Sequence, residues 1–331
     1  MSLRSYIIKR LIYTFILVIF VIIVNWIIFQ AIPGGAGAIG NLAGGLKTQS
    51  SQYLYYEQLY GLNQPPLVRF ENYFWDMLTF NFGTSFLSQH SVISDMIGSG
   101  RLANTLLLVG SATALSLVIG IVLGVFASSR RGSPSDSFFV TTSLTAFSLP
   151  VFWLGLILVT IFSFYLHWLP QGGSFPNDWG QFGVPPWPQM ILVRIQYLIL
   201  PLLTLTLILY GGNLLLTRAT MTEALSEDYV VTARAKGLKE RTVLFKHVFK
   251  NASLPIVTTA ALGFGTILGG AIITESIFYW KGLGYWLLTS IQAKDFPVIQ
   301  AMFYLLALSV IIANLISDLI YGVIDPRIRY E

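Results

Sequence analysis

Residues 223–255 read EALSEDYVVTARAKGLKERTVLFKHVFKNASLP, a polar and basic insertion between two membrane-length apolar segments. Counting Arg218 just upstream, it carries seven lysines and arginines, a density that marks a cytoplasmic loop. The local pattern predicts two short helices broken at Gly237. Asp228 stands near the start of the first, and Arg234 and Lys236 fill its last turn, where the helix dipole favours cations. In the second, Leu244 and Val248, and Phe245 and Phe249, recur at four-residue spacing, while Lys239, Lys246 and Lys250 form a separate basic stripe. A folded helix pair is more than a hydrophilic tether needs, so this surface is expected to dock on a cytoplasmic partner.

The rest of the composition agrees with a membrane setting. Of 331 residues 54% are apolar and only 11% charged, and the mean hydropathy is +0.68, whereas soluble domains carry about a quarter of charged residues. The chain is expected to be an all-α polytopic membrane protein. With no cysteine, disulfides, thiol catalysis and cysteine metal sites are excluded. The net charge of +5 is modest, and its placement argues for membrane topology rather than nucleic-acid binding.

Six apolar runs are long enough to span a bilayer: residues 11–29, 102–127, 138–166, 195–216, 255–273 and 298–323. After the first comes AIPGGAGA, similar to a signal-peptide cleavage region with Ala36 and Ala38 around Gly37. The apolar core is longer than a signal peptide's, so the helix is expected to be retained. Residues 31–101 hold no spanning run and are read as an extracytoplasmic segment between an N-terminal transmembrane helix (1–30) and a core (102–331) containing the basic loop at 218–254. Gly120 and Gly124 permit a close helix contact. Pro150 is expected to kink the third span. Trp168, Trp179 and Trp187 lie in an outer loop among five prolines and read as interfacial anchors, or as a stacking surface for a sugar ring or peptide side chain. Gly263, Gly265, Gly269 and Gly270 thin the fifth span, either for packing or to line a passage. Leu283, Leu287 and Ile291 share one face of a short helix expected to lie at the outer surface. Fourteen of the twenty lysines and arginines fall on the side of the basic loop and six on the other, which places both termini in the cytoplasm with six spans.

Several chemistries find no support. There is no G-x-x-x-x-G-K-[ST] phosphate loop, no G-x-S-x-G or H-E-x-x-H motif, and His90, His167 and His247 fall in different regions. Glu275 and Asp318, near opposite ends of spans, read as ion pairs or caps, with Arg327 a conceivable partner for Asp318.

DYVVTARAKGL followed by His247 and NASLP resembles the coupling loop of ABC-importer permeases, in the branch for dipeptides, oligopeptides and nickel, first permease of the pair. Ala233 and Gly237 match the Ala and Gly of the broader motif, while Val231 stands where its Glu would be. YGLNQPPL, NFGTSF, SLPVFWLGLIL, the run Glu275, Phe278, Gly282, Leu283, Gly284, Lys294, Asp295, Pro297, and the ending Asp318 to Arg327 extend the resemblance over most of the chain. Pro33-Gly34-Gly35 departs from the family's P-G-D. The resemblance implies a type I importer fold. It also implies an inner-membrane subunit, not itself an enzyme, that translocates short peptides, oligosaccharides or nickel chelates. The implied partners are a second homologous permease, two ABC ATPase subunits that hold ATP and magnesium, an extracellular substrate-binding protein and membrane lipids, with no cofactor on this chain and no nucleic acid. Asp228, Tyr229, Ala233, Arg234, Lys236 and Gly237 are the residues it assigns to coupling. A secondary transporter or channel would predict paired acids at the membrane midplane or an inverted repeat, and neither is found. A membrane scaffold would leave the glycines and prolines of the third to fifth spans unexplained.

Overall fold

The structure, a computed structural model, describes residues 3–31, 64–176, 186–265, 267 and 271–324. The cleavage-like run after Ala31, Trp179, Gly269, Gly270 and Arg327 lie outside the described residues. The elements are helical: α1 (Leu3–Ala31), α2 (Pro66–Leu78), α3 (Val92–Gly98), α4 (Arg101–Ser129), α5 (Pro134–Ser148), α6 (Val151–Tyr165), α7 (Trp187–Leu225), α8 (Asp228–Ala235), α9 (240–265), α10 (Ile272–Ile277), α11 (Leu283–Ala293) and α12 (Phe296–Ile324). Among the described residues the strand-like pairing is one isolated bridge, Thr84 to Ser91.

By length and composition α1, α4, α7 and α12 can each cross a membrane, and α5 with α6 make a fifth crossing if taken as one broken span. The kink expected at Pro150 is a full break. Leu149 is extended, as a residue before proline must tend to be, and α5 and α6 meet at 97°. Ser133 accepts a hydrogen bond from the Asp136 amide and Pro134 opens the first turn, so α5 begins on a well-formed cap. The segment expected to span from Pro255 is instead the end of α9, where Pro255 sits inside the helix.

α7 is the axis of the fold. Its apolar run begins at Ile195, but the helix starts at Trp187 and runs to Leu225, 39 residues, about 58 Å at 1.5 Å per residue. α4 lies along it at small-residue contacts. A Cβ on Gly120 would come within 2.5 Å of Asn213 Cβ, and one on Gly124 within 2.6 Å of Thr217 Cβ. α5 approaches from another side, where a Cβ on Gly211 would meet the Ser143 carbonyl oxygen at 2.5 Å. Close backbone approach of this kind is how membrane helices gain packing when lipid offers no hydrophobic contrast. Gly265 is likewise packed, against Ala313 of α12, which decides its role in favour of packing.

One end of the bundle is closed by a cluster joining Ile22 and Phe29 of α1, Met77, Phe82, Val92 and Met96 of the segment after it, Leu283 and Leu287 of α11, and Val298 to Leu305 of α12. The face of Leu283 and Leu287 is therefore turned into the core, and Ile291 alone of that trio is exposed. At the other end of α12, Asp318 pairs with Arg10 of α1 at 2.9 Å.

The glycine contacts set a sharp expectation. Gly124→Leu must displace Thr217 and the Leu214 carbonyl, an overpacking cost of about 1–3 kcal/mol or more, and the monodisperse fraction in detergent should collapse. Gly98→Ala, with nothing within 4 Å, should leave the size-exclusion profile unchanged.

Candidate functional site

The basic insertion folds as a direct continuation of two long helices. α7 ends at Leu225, the chain turns through Ser226 and Glu227, and α8 starts at Asp228. At its far end the Gly237 amide donates to the Arg234 carbonyl at 2.9 Å with φ +72°, a left-handed conformation that glycine adopts without penalty. α9 then begins, winds as a π-helix over Val243–Val248, and runs on through 265. The second of the two expected short helices is thus the first part of a long one.

A small core holds this elbow. Val230 and Ala233 of α8, Val243, Val248 and Ala252 of α9, Met221 and Ala224 of α7 and Val125 of α4 are buried together, with Tyr229, Leu244 and Phe249 packed at the edge. The Tyr229 hydroxyl donates to the Ala224 carbonyl at 3.2 Å. Tyr229 and Ala233 therefore face inward and fix the elbow to α7. Asp228, Arg234, Lys236 and Gly237 stay on the outside. They share it with two apolar side chains, Val231 at 65% exposure and Phe245 at 55%, the latter paired with Phe249 by its four-residue spacing but turned outward, and with exposed Lys239, Arg241, Lys246 and Lys250. The signal for Phe245 was available in principle. The buried positions within the π-wound turn are Val243 and Val248, five apart, and such a turn shifts the face that simple four-residue spacing assigns.

Arg234 and Glu240 staple the two arms across Gly237, with Nη2 to Oε1 at 2.6 Å and Nε to Oε2 at 3.2 Å. The hydrogen bonds from Arg234 hold the Glu240 carboxyl below its ordinary range, and those to Glu240 raise Arg234 in turn. Because the folded carboxyl is depressed, the pair's contribution is present above the unfolded carboxyl value and fades as pH falls through the folded one. Both side chains are half exposed, 50% and 56%, so water and salt screen it.

Two buried carboxylates lie at the other end of the bundle. Asp295 accepts from Ser85 Oγ at 2.5 Å and from the Phe86 amide at 3.0 Å, which docks the NFGTSF loop onto the start of α12. Glu275 accepts from Thr105 Oγ1 at 2.8 Å and from the Tyr285 amide at 2.9 Å, capping α11 from outside. Gly282 lies so close to Thr105 and Glu275 that a Cβ would not fit. Trp168 and Trp187 are exposed at 69% and 70%.

Residues 120–330 match the family of binding-protein-dependent transport system inner membrane components. The chain belongs to this family. The permease is 36% identical over 328 residues to the oligopeptide transport system permease protein AppB of Bacillus subtilis, covering 98% of this chain and 99% of the relative. It is 36% identical over 290 residues to the dipeptide transport system permease protein DppB of Escherichia coli K12, covering 82% and 83%. Against the glutathione transport system permease protein GsiC of Salmonella typhimurium it is 34% identical over 327 residues, with 99% of both chains covered. The family membership that the sequence suggests thus holds over most of the chain. The permease is a membrane component of a binding-protein-dependent ABC importer.

The Arg234–Glu240 staple should be weak. A double-mutant cycle of Arg234→Ala and Glu240→Ala in thermal unfolding should give a coupling below about 1 kcal/mol that shrinks further in high salt or below about pH 4.

Proposed function

We propose that this permease is one of two homologous membrane subunits through which an ATP-driven importer moves short peptides across the inner membrane. An extracellular binding protein delivers the cargo and two separate ATPase subunits hold ATP and magnesium. The observation that carries this reading is the elbow. It is a compact, basic element with its own buried core, continuous with α7 and α9, that exposes Asp228, Val231, Arg234, Lys236 and Phe245 together. Such a surface suits a protein groove better than a lipid headgroup layer, because anionic lipid would recognise the charge without needing the folded core or the apolar side chains.

In this reading the elbow and both termini are cytoplasmic, residues 31–101 are extracytoplasmic, and α9 with the chain up to about 273 completes six spans. Charge placement supports that orientation. Closure of the ATPase subunits pushes the elbow, and α7 and α9 tilt with it, switching the passage between its two openings. That requires two alternative packings rather than a soft hinge. Short peptides are the favoured cargo class because the oligopeptide, dipeptide and glutathione named for the relatives share peptide-like backbones.

The decisive test uses the complete importer in proteoliposomes. ATP hydrolysis should be stimulated by peptide-loaded binding protein, and Gly237→Arg or Phe245→Asp should reduce that stimulation at least about tenfold, a change of one hot-spot contact, while the permease still inserts. Stimulation that survives both substitutions removes the elbow from coupling, and peptide uptake without ATP would favour a secondary transporter. Since the chain has no cysteine, Lys239→Cys offers a single label site, which should react with an impermeant maleimide from the cytoplasmic face alone.

A further inference from the structure

Between the elbow and the membrane-facing helices lies a second polar feature that the coupling residues do not include. After α4 the chain makes the turn Arg130-Arg131-Gly132-Ser133 and enters α5. Asp136, in the first turn of α5, is buried, with 5% of its side chain exposed. Its Oδ1 accepts from Arg218 Nε at 2.6 Å and its Oδ2 from Arg218 Nη2 at 2.8 Å. The Gly132 amide donates to the same Oδ2 at 2.9 Å. Arg218 belongs to α7, two helical turns before its end at Leu225.

A guanidinium forked onto a carboxylate fixes both the distance and the plane of the two groups, which a single charge contact does not. A buried ion pair is also a poor way to gain stability, since apolar residues of the same size would serve as well or better. Its position gives it another use. Successive contacts tie α7 to its neighbours: Gly211 meets Ser143 of α5, Thr217 meets Gly124 of α4, and Arg218 meets Asp136 of α5 at the last place before the elbow. Beyond Arg218 the end of α7 carries α8 and meets the core of the elbow.

We propose that Asp136 and Arg218 are positioning residues that lock α5 to α7, so that a push on the elbow moves the broken helix α5–α6 together with α7 instead of bending the last two turns of α7 away from α5. This rests on the coupling reading proposed above. Without the fork, the elbow can follow the ATPase subunits while α5 and α6 stay behind, and hydrolysis runs without translocation.

The test is made on the assembled importer with its binding protein, in proteoliposomes. Asp136→Asn keeps the side-chain shape and breaks the charged fork. We expect it to assemble, to keep stimulated ATP hydrolysis within about twofold of wild type, and to lower peptide imported per ATP by about tenfold, the scale set by a broken buried pair. Arg218→Lys, which keeps the charge and loses the fork, should fall between the two. An unchanged import-to-ATP ratio in Asp136→Asn overturns the joint, and so does a parallel loss of import, hydrolysis and assembled complex, which marks a purely structural pair. Spin labels on Arg131→Cys and Ala219→Cys, both exposed positions, give a reading that does not depend on breaking the pair. Their separation should be the same in the nucleotide-free and ATP-trapped complexes, and a change of about 5 Å or more, one helical turn, overturns the joint. A wild-type importer that moves peptide without hydrolysing ATP would remove the coupling reading and the joint with it, whereas a failed Asp136→Asn result in an ATP-dependent wild type removes the joint alone.

Discussion

A helix of 39 residues is about twice as long as the hydrocarbon layer is thick, so α7 must leave the membrane, and much of the remaining structure answers that constraint. A lone helix projecting into water is marginal unless something packs on it. Here α4 lies against it through Gly120 and Gly124, α5 through Gly211 and the Asp136–Arg218 fork, and the elbow folds back on its end through Val230, Ala233, Val243 and Val248. The contacts of α4 and α5 interleave along residues 211–218 of α7, and the elbow covers its end.

The two buried acids at the other end show the same economy with charge. Neither Asp295 nor Glu275 is paired with a cation in the described structure. Their oxygens are instead filled by hydroxyl and amide donors, Ser85 and Phe86 for one, Thr105 and Tyr285 for the other. A carboxylate so satisfied can be buried at tolerable cost, and because its donors come from segments far apart in the chain it fixes their register. This explains why the short patterns NFGTSF and Lys294-Asp295-Phe296-Pro297, about 210 residues apart, occur together in one sequence: they are two halves of one contact.

Features set by local residues are legible in the sequence, and those set by distant partners are not. The four-residue glycine spacing on α4 is local and is found where expected; apolar length is local too, and it finds α1, α4, α7 and α12 and the broken α5–α6 pair, whereas the run from Pro255 belongs to α9. The break at Gly237 is likewise local, because the residue there must adopt positive φ. Facing directions were not local. Tyr229 and Ala233 read as part of an exposed motif, yet they point into a core supplied by α4, α7 and α9. Phe245 looked like half of an apolar pair, yet the π-wound turn leaves it outside. Trp187 and its prolines looked like loop because proline and tryptophan cluster at membrane edges, but Pro186 and Pro188 sit at the cap and first turn of α7, where a missing amide costs nothing. Asp318 was assigned no partner by proximity in sequence beyond Arg327, and the cation it meets, Arg10, comes from the other end of the chain.

The distribution of breaks bears on how such a bundle can change shape. Packed helices do not deform smoothly; they move as bodies and bend where the hydrogen-bond ladder is already interrupted. Two such places flank the α4–α5–α7 group. One is the Pro150 junction, where α6 leaves α5 at 97°, and the other is the π-wound turn at Val243–Val248, which joins the elbow to the rest of α9. Between them the glycine contacts and the buried fork hold α4, α5 and α7 together along residues 211–218 of α7, while the π-wound stretch Leu106–Gly110 of α4 and Pro201 of α7 lie outside that zone. A load applied at the elbow therefore has two exits, one into α6 and one into α9 and, through Gly265 and Ala313, into α12. In the proposed reading these are the two walls that must part on opposite sides of the membrane. A single group with a joint at each side produces that alternation with fewer independent motions than separately tilting helices would need.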